Sequence, residues 1–328
     1  MSGLTDRYKR TIDYLRISIT DRCNLRCIYC MPSKGIKPIE HKDILSYEEI
    51  IRLVRVASKI GVKKIRLTGG EPLTRKDLSM LISTINSIEG IEDISLTTNG
   101  IMLRQQAAEL AKAGLKRINI SIDSMKPERY AEITRGGRLD AVWEGIKEVE
   151  AVGIHPIKIN IVPIRGFNED EIKDFAKLSI NLPYHIRFIE FMPIGAKEIW
   201  TEAKYISTDE IKAIVSEIGP IYSVKARKSG PARYFKFDNA RGVIGFISAV
   251  THHFCDSCNR LRLTSDGKLR PCLFSETEID LKSAIRNGAS DEELERLFRL
   301  GVEIKPERHH ISHERSFNHL KPMSKIGG

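Results

Sequence analysis

Apolar and polar residues alternate with a period of two in several short stretches of the chain, and between them the apolar positions recur at helical spacing. Leu15, Ile17 and Ile19 alternate with Arg16, Ser18 and Thr20, and Ile65 and Leu67 with Arg66 and Thr68. Ile118, Ile120 and Ile122 alternate with Asn119, Ser121 and Asp123, and Ile157, Ile159 and Ile161 with Lys158 and Asn160. The pattern predicts strands over 14–20, 63–68, 93–98, 116–123, 155–162 and 185–190. Ser46 with Glu49, Asn168 with Glu171 and Ser207 with Glu210 have capping-box spacing and mark helix starts, while Gly61, Gly114 and Gly153 mark stops. Strand followed by helix, repeated six times, predicts parallel strands joined by crossover helices. Six units favour an incomplete parallel β/α barrel.

The polar half of each alternation sets this chain apart. Parallel strands are ordinarily covered on both faces and read as continuous apolar runs, and a filled barrel carries Val, Ile and Leu inside. Here one parity is apolar and suits the helices, so the other faces a wet lumen. One basic residue there is explained by snorkelling from a strand end. Arg16, Arg66 and Lys158 together, with Arg187 in a less regular strand, are costly to enclose unpaired and imply a polyanionic ligand.

Beyond about Gly219 the repeat stops. Short β-like pieces follow at 234–237, 243–248 and 261–264, and Asp266-Gly267 predicts a hairpin turn to 269–273. Helices over 280–287 and 291–300 precede a basic, His-containing tail ending in KIGG. The expected division is a barrel over 1–219 and a C-terminal extension over 220–328.

With 328 residues, 41% hydrophobic and 29% charged, the chain has the composition of a folded globular protein rather than a disordered one. No apolar run reaches membrane-spanning length and the opening residues are too polar for an export signal, so a cytoplasmic location is expected. The formal charge of +10 suits an anionic partner without choosing one. Basic residues form no linear run, and no nucleic-acid partner is expected. In that compartment the six cysteines point to metal or redox chemistry rather than disulfides.

They fall into two triads. Cys23, Cys27 and Cys30, in CNLRCIYC, follow the first predicted strand, at the end of a parallel sheet where ligands bind. Three thiolates can hold one face of an iron-sulfur cluster and leave an iron open; structural zinc would need a fourth ligand, and His41 is not at customary spacing. Cys255, Cys258 and Cys272 form the second triad, for which spacing alone leaves open a zinc knuckle completed by His252 or His253 and a second cluster. Arg260 and Arg262 alternate on the strand leaving it and offer two guanidinium forks for phosphate.

CNLRCIYC after one strand and GGEP (Gly69 to Pro72) after the next resemble the radical S-adenosylmethionine (SAM) superfamily. With YLRIS, LTTNG, RINISID, RFIEFMP, FCDSCNRLRLTSDG and the terminal Gly327-Gly328, the resemblance runs nearly end to end to the GTP 3′,8-cyclase family, which acts first in molybdenum-cofactor biosynthesis. It implies two [4Fe-4S] clusters, held by Cys23, Cys27 and Cys30 and by Cys255, Cys258 and Cys272. It also implies SAM contacts at Tyr29, Gly70, Ser121 and Met192, and GTP contacts at Arg16, Arg66, Thr97, Lys158, Arg260, Leu261 and Arg262, with Arg187 assisting. Arg16, Gly327 and Gly328 are implied to be catalytic, the glycine tail reaching into the active site. The implied partners are GTP, a reductant, and cyclic pyranopterin monophosphate synthase as recipient of the product, and a homodimer is compatible with the resemblance.

Overall fold

A computed structural model describes residues 3–194, 199–225, 230–309 and 323–327. The six expected strands are β1 (Tyr14–Ser18), β2 (Lys64–Thr68), β3 (Asp93–Thr98), β4 (Arg117–Ser121), β5 (Ile157–Ile161) and β6 (His185–Ile189). Helices α1 (Tyr47–Lys59), α2 (Leu78–Asn86), α3 (Leu103–Lys112), α4 (Pro127–Thr134), α5 (Leu139–Ala151), α6 (Ile172–Asn181) and α7 (Thr208–Ser216) lie between and after them. Capping boxes start α1 at Ser46 and α7 at Ser207, where each hydroxyl accepts from the amide three residues on and the Glu there reaches back. Gly61, Gly114 and Gly153 follow their helices at positive φ.

Asn168 departs from expectation. A 3₁₀ turn (Glu169–Glu171) stands between it and α6, and its side chain caps nothing. Its amide instead donates to the carbonyls of Asp123 and Val162 and accepts from the Ile164 amide, joining the ends of β4 and β5. Glu171 turns away to Ser124, Met125 and Arg129. Both side chains have buried tertiary partners, and these outcompete the local box.

The remaining strands are β7 (Ile221–Val224), β8 (Arg233–Phe237), β9 (Val243–Ile247), β10 (Arg260–Leu263), β11 (Lys268–Arg270) and β12 (Ile279–Asp280), followed by α8 (Leu281–Arg286), α9 (Asp291–Glu303) and α10 (Met323–Ile326). They do not form a sheet of their own. One 12-stranded sheet runs β12-β11-β10-β1-β2-β3-β4-β5-β6-β9-β8-β7. Strand β9 pairs parallel with β6, and β10 parallel with β1, so the C-terminal third extends both ends of the six-strand arc. The barrel stays open.

Parity partitions the sheet as the alternation implies. Leu15, Ile17, Ile65, Leu67, Ile118, Ile120, Ile157 and Ile159 belong to one core with the helices, each fully buried. The opposite parity lines a cavity of about 990 Å³ that runs along the barrel interior.

Candidate active site

Strand register decides which lumen side chains are neighbours. Arg16 on β1 stands directly opposite Arg66 on β2 and Arg262 on β10. Like charges at directly opposed positions repel, and here three guanidiniums share one level of the wall. Burial, and then Arg262 and Arg66, hold the Arg16 guanidinium well below its usual range. Arg262 is drawn down to about 9 by burial and then by Arg260. Across the lumen Lys158 faces Asn119 and His185 in register, and Arg187 faces Asn160. Burial, then Arg187, Arg117 and Arg66, bring Lys158 down to about 6. Arg187 is kept at about 10 by burial while donating to Asn119 Oδ1 at 2.5 Å.

Arg117 and Lys64, nearby, are ion-paired with Asp93 and Asp13. Arg66, Lys158, Arg187 and Arg262 have no such carboxylate among the described residues. Thr97 Oγ1 and Asn160 Oδ1 are buried on the same wall without a hydrogen-bond partner among the described residues. Unneutralised cations and orphaned polar atoms facing one cavity define a site for a polar polyanion.

The first cysteine triad closes one end. Cys23, Cys27 and Cys30 all line the cavity on the loop after β1. That loop is tied to the end of α4 by bonds from the Arg26 and Ile28 amides to the carbonyls of Thr134 and Ile133. Burial pushes the Cys23 thiol up to about 11 and Cys30 up to about 12, so thiolates form here only with a compensating positive charge. A single tetrahedral zinc with bonds of about 2.3 Å needs its donors within about 4 Å of one another. No three His, Cys, Asp or Glu side chains among the described residues gather closely enough to hold one ion. Three thiols distributed round a shared cavity fit a cluster, in which each sulfur binds its own iron.

The GGEP turn is packed against this loop. Gly70 donates to the Thr20 carbonyl at 2.7 Å and Glu71 to that of Arg22 at 2.8 Å, and a Cβ on Gly70 would lie 2.3 Å from the Arg22 oxygen. Only glycine permits that approach. Glu71 is buried beneath the turn, accepting from the Leu73 and Asn99 amides and the Thr98 hydroxyl, with its carboxyl raised by burial to about 7. Tyr29, Ser121 and Met192 also line the cavity. Tyr29 donates to Asp123 Oδ2 at 2.5 Å, and Asp123 in turn accepts from the Val162 amide. Sequence reasoning placed Asp123 on the polar parity but gave it no role. Here it orients Tyr29.

The second triad lies across the cavity. Cys255 and Cys258 bound a 3₁₀ turn before β10, and the antiparallel β10 and β11 pair returns the chain so that Cys272 joins them on the cavity wall. Burial opposes ionisation of Cys258, but Arg260 and Lys305 outweigh it and bring the thiol down to about 6. Arg10 donates to the Cys255 carbonyl at 2.8 Å while paired with Asp6. Neither Arg10 nor Lys305 carries a sequence signal; a strong alternation or motif would have been needed to find them. His252 is engaged with Asp209 at 2.8 Å.

One expected contact is corrected. Leu261 is fully buried on the apolar parity of β10, within the core shared with the helices, so its side chain points away from the lumen that Arg260 and Arg262 line.

Gly327 enters the lumen. Its carbonyl accepts from Arg262 Nη1 at 2.6 Å and from Arg16 Nη2 at 3.5 Å. Ile326 of α10 packs with Ile194 against Met192, Leu273, Phe274 and Met323, anchoring the tail. Gly328 lies outside the described residues.

Residues 17–179 match the family model for the radical SAM superfamily, and residues 184–311 that for Molybdenum Cofactor Synthesis C. A crystal structure of Streptococcus suis SuiB bound to S-adenosylmethionine shares the fold with a TM-score of 0.62 at 16% identity, over 88% of this chain and 68% of that one. Fold and first triad together therefore define a radical SAM enzyme. The chain is 50% identical to the GTP 3′,8-cyclase of Pelotomaculum thermopropionicum, over 99% of its own length and all of the relative's. It is also 50% identical to that of Thermodesulfovibrio yellowstonii, with the same coverage. It belongs to the GTP 3′,8-cyclase family.

Proposed function

We propose that this enzyme holds SAM against the first triad and GTP along the barrel lumen, and joins ribose C3′ of GTP to guanine C8 to give a 3′,8-cyclised dihydroguanosine triphosphate, the first step of molybdenum-cofactor biosynthesis. The observation that carries this reading is the row of Arg262, Arg16 and Arg66 in direct register on a buried wall, with Lys158 opposite. A triphosphate offsets that repulsion, and guanidinium forks match it bidentately.

When bound and reduced, a [4Fe-4S] cluster on Cys23, Cys27 and Cys30 supplies the electron that splits SAM into methionine and a 5′-deoxyadenosyl radical. The chain's residues do the positioning. The Gly69-Gly70 main chain, held against the β1 loop, presents backbone groups to the methionine end, and Tyr29, Ser121 and Met192 bound the rest of SAM. Arg66, Lys158, Arg260 and Arg262 grip the triphosphate with Arg16, and Thr97 and Asn160 offer unpaired oxygens to the nucleoside. Cys255, Cys258 and Cys272, within the extension over 220–328, would hold a second [4Fe-4S] cluster whose open iron would be offered to the guanine base. Enclosure keeps water and stray hydrogen donors from the radical while GTP is held at reactive distance. Arg16 and the tail glycines Gly327 and Gly328 complete the site. An external one-electron reductant serves the enzyme in the cytoplasm, and the product passes to cyclic pyranopterin monophosphate synthase.

The test is anaerobic reconstitution with iron and sulfide, then SAM, dithionite and GTP, with mass spectrometry of the nucleotides. Appearance of the cyclised triphosphate with 5′-deoxyadenosine supports the reading. Deoxyadenosine with GTP untouched would leave the enzyme class in place and remove the substrate.

A further inference from the structure

Lys305 follows α9 and is 3% exposed, at the second triad. Its ammonium donates to the Pro271 carbonyl at 2.7 Å, to the Arg260 carbonyl at 2.8 Å and to Cys258 Sγ at 3.5 Å. All three of its protons are used. The two carbonyls belong to the residue that starts β10 and to the residue preceding Cys272, so one side chain ties together the segments that carry Cys258 and Cys272.

The charge is the unusual part. Arg10, a second buried cation at this triad, is neutralised by Asp6 at 2.6 Å. Lys305 forms no ion pair with a carboxylate among the described residues, and Arg260 and Arg262 nearby add to the positive potential. Carbonyl dipoles alone compensate a buried ammonium poorly, and enclosing it is unfavourable unless an anion stands beside it. The atom in contact that can carry negative charge is the Cys258 sulfur.

We propose that Lys305 is a positioning and charge-compensating residue for the second iron-sulfur cluster: its ammonium donates to the Cys258 thiolate and favours the reduced, more negative state of the cluster. This rests on the two-cluster reading given above. Hydrogen bonds to cluster sulfurs and nearby net charge are among the properties that set reduction potential. A cation in contact with one thiolate stabilises the state with one more electron, so its removal makes that cluster harder to reduce.

The test uses the full-length chain carrying Cys23→Ala, Cys27→Ala and Cys30→Ala, so that only the second triad can hold iron, reconstituted anaerobically with Lys305 intact or changed to Met, Gln or Arg. Iron and sulfide per chain are measured, and the midpoint potential is read by redox titration monitored by electron paramagnetic resonance. With Lys305 present about four irons per chain are expected. In Lys305→Met the one-electron equilibrium should shift at least tenfold toward the oxidised state, about 59 mV for one electron. Lys305→Gln, which keeps donors but no charge, should shift the same way, and Lys305→Arg should recover most of the potential. If Met and Gln both lose iron while Arg retains it, the assignment to charge also stands. A normal iron content with an unmoved potential in Met or Gln overturns it, as does loss of iron from all three. Absence of iron with Lys305 intact would instead overturn the two-cluster reading.

Discussion

Lys158 should make GTP binding take up a proton. Its amine faces the lumen beside Arg187, Arg117 and Arg66, and burial followed by those charges brings it down to about 6. At pH 8 it is about 99% neutral in the free enzyme. A triphosphate brought against it restores the ammonium, so binding at pH 8 should take up about one proton per GTP. Reprotonation at pH 8 costs about 2.7 kcal/mol relative to the fully charged amine; since the amine is already half neutral at pH 6, binding should weaken by about 50-fold between pH 6 and pH 8. The sign follows from the direction of the shift: below about pH 6 Lys158 is charged in both states and contributes no slope, and above it the free enzyme must gain the proton. Calorimetric titration of reconstituted enzyme with GTP at pH 8, without SAM or reductant, in two buffers of different ionisation enthalpy counts the protons directly. Lys158→Met should abolish the uptake and flatten the pH dependence. Lys158→Arg should keep the affinity at pH 8 while losing the uptake. If the wild type takes up no more protons than Lys158→Met, either the amine is already charged or it does not meet phosphate, and the reasoning fails.

Gly327→Ala should lower kcat at least tenfold, equivalent to about 1.4 kcal/mol, with the thermal unfolding midpoint unchanged. The residue has φ +71°, and its Cβ would meet Thr68 Cγ2 at 2.9 Å and Ser18 Cβ at 3.1 Å, displacing the carbonyl that Arg262 and Arg16 hold; wild-type kcat would contradict this. Glu71→Gln should cost about 1–3 kcal/mol in urea unfolding of the metal-free chain, because its amide nitrogen must face a backbone amide that the carboxylate satisfied. Since the folded carboxyl is raised from 4.5 to about 7, the folded state holds the extra proton in that window. Wild-type stability linked to that proton therefore falls as pH rises from 4.5 to 7, and the variant, with no proton to release, should lack that slope; parallel curves would show that Glu71 is not protonated in the fold.

The lumen was legible because side-chain direction in a strand follows from sequence parity alone. Once Ile118, Ile120 and Ile122 are given to the helices, Asn119 and Ser121 must take the opposite face: Ser121 lines the cavity, and Asn119 is buried beneath it, accepting from the lumen-lining Arg187. Partnership across long separations carries no such local sign. That β10 lies beside β1, placing Arg262 opposite Arg16, depends on a pairing between chain segments far apart in sequence. Lys305 and Arg10 act from irregular segments with no periodicity to read. Asn168 shows the converse: its spacing to Glu171 suits a box, yet both side chains take buried tertiary partners. Leu261 shows where transfer by stretch and transfer by side chain part company, since the two arginines flanking it face one way and it faces the other.

The placement of β9 and β10 bears on how the molecule is made. A nascent chain that has emerged only as far as residue 219 possesses six strands but leaves β1 and β6 with bare outer rows of amide and carbonyl groups, which invite pairing with other chains. Neither is covered until residues 243–247 and 260–263 have left the ribosome. Maturation is thus delayed until synthesis is nearly over, and a gene cut between the two halves would be expected to yield an aggregating N-terminal fragment rather than a working half.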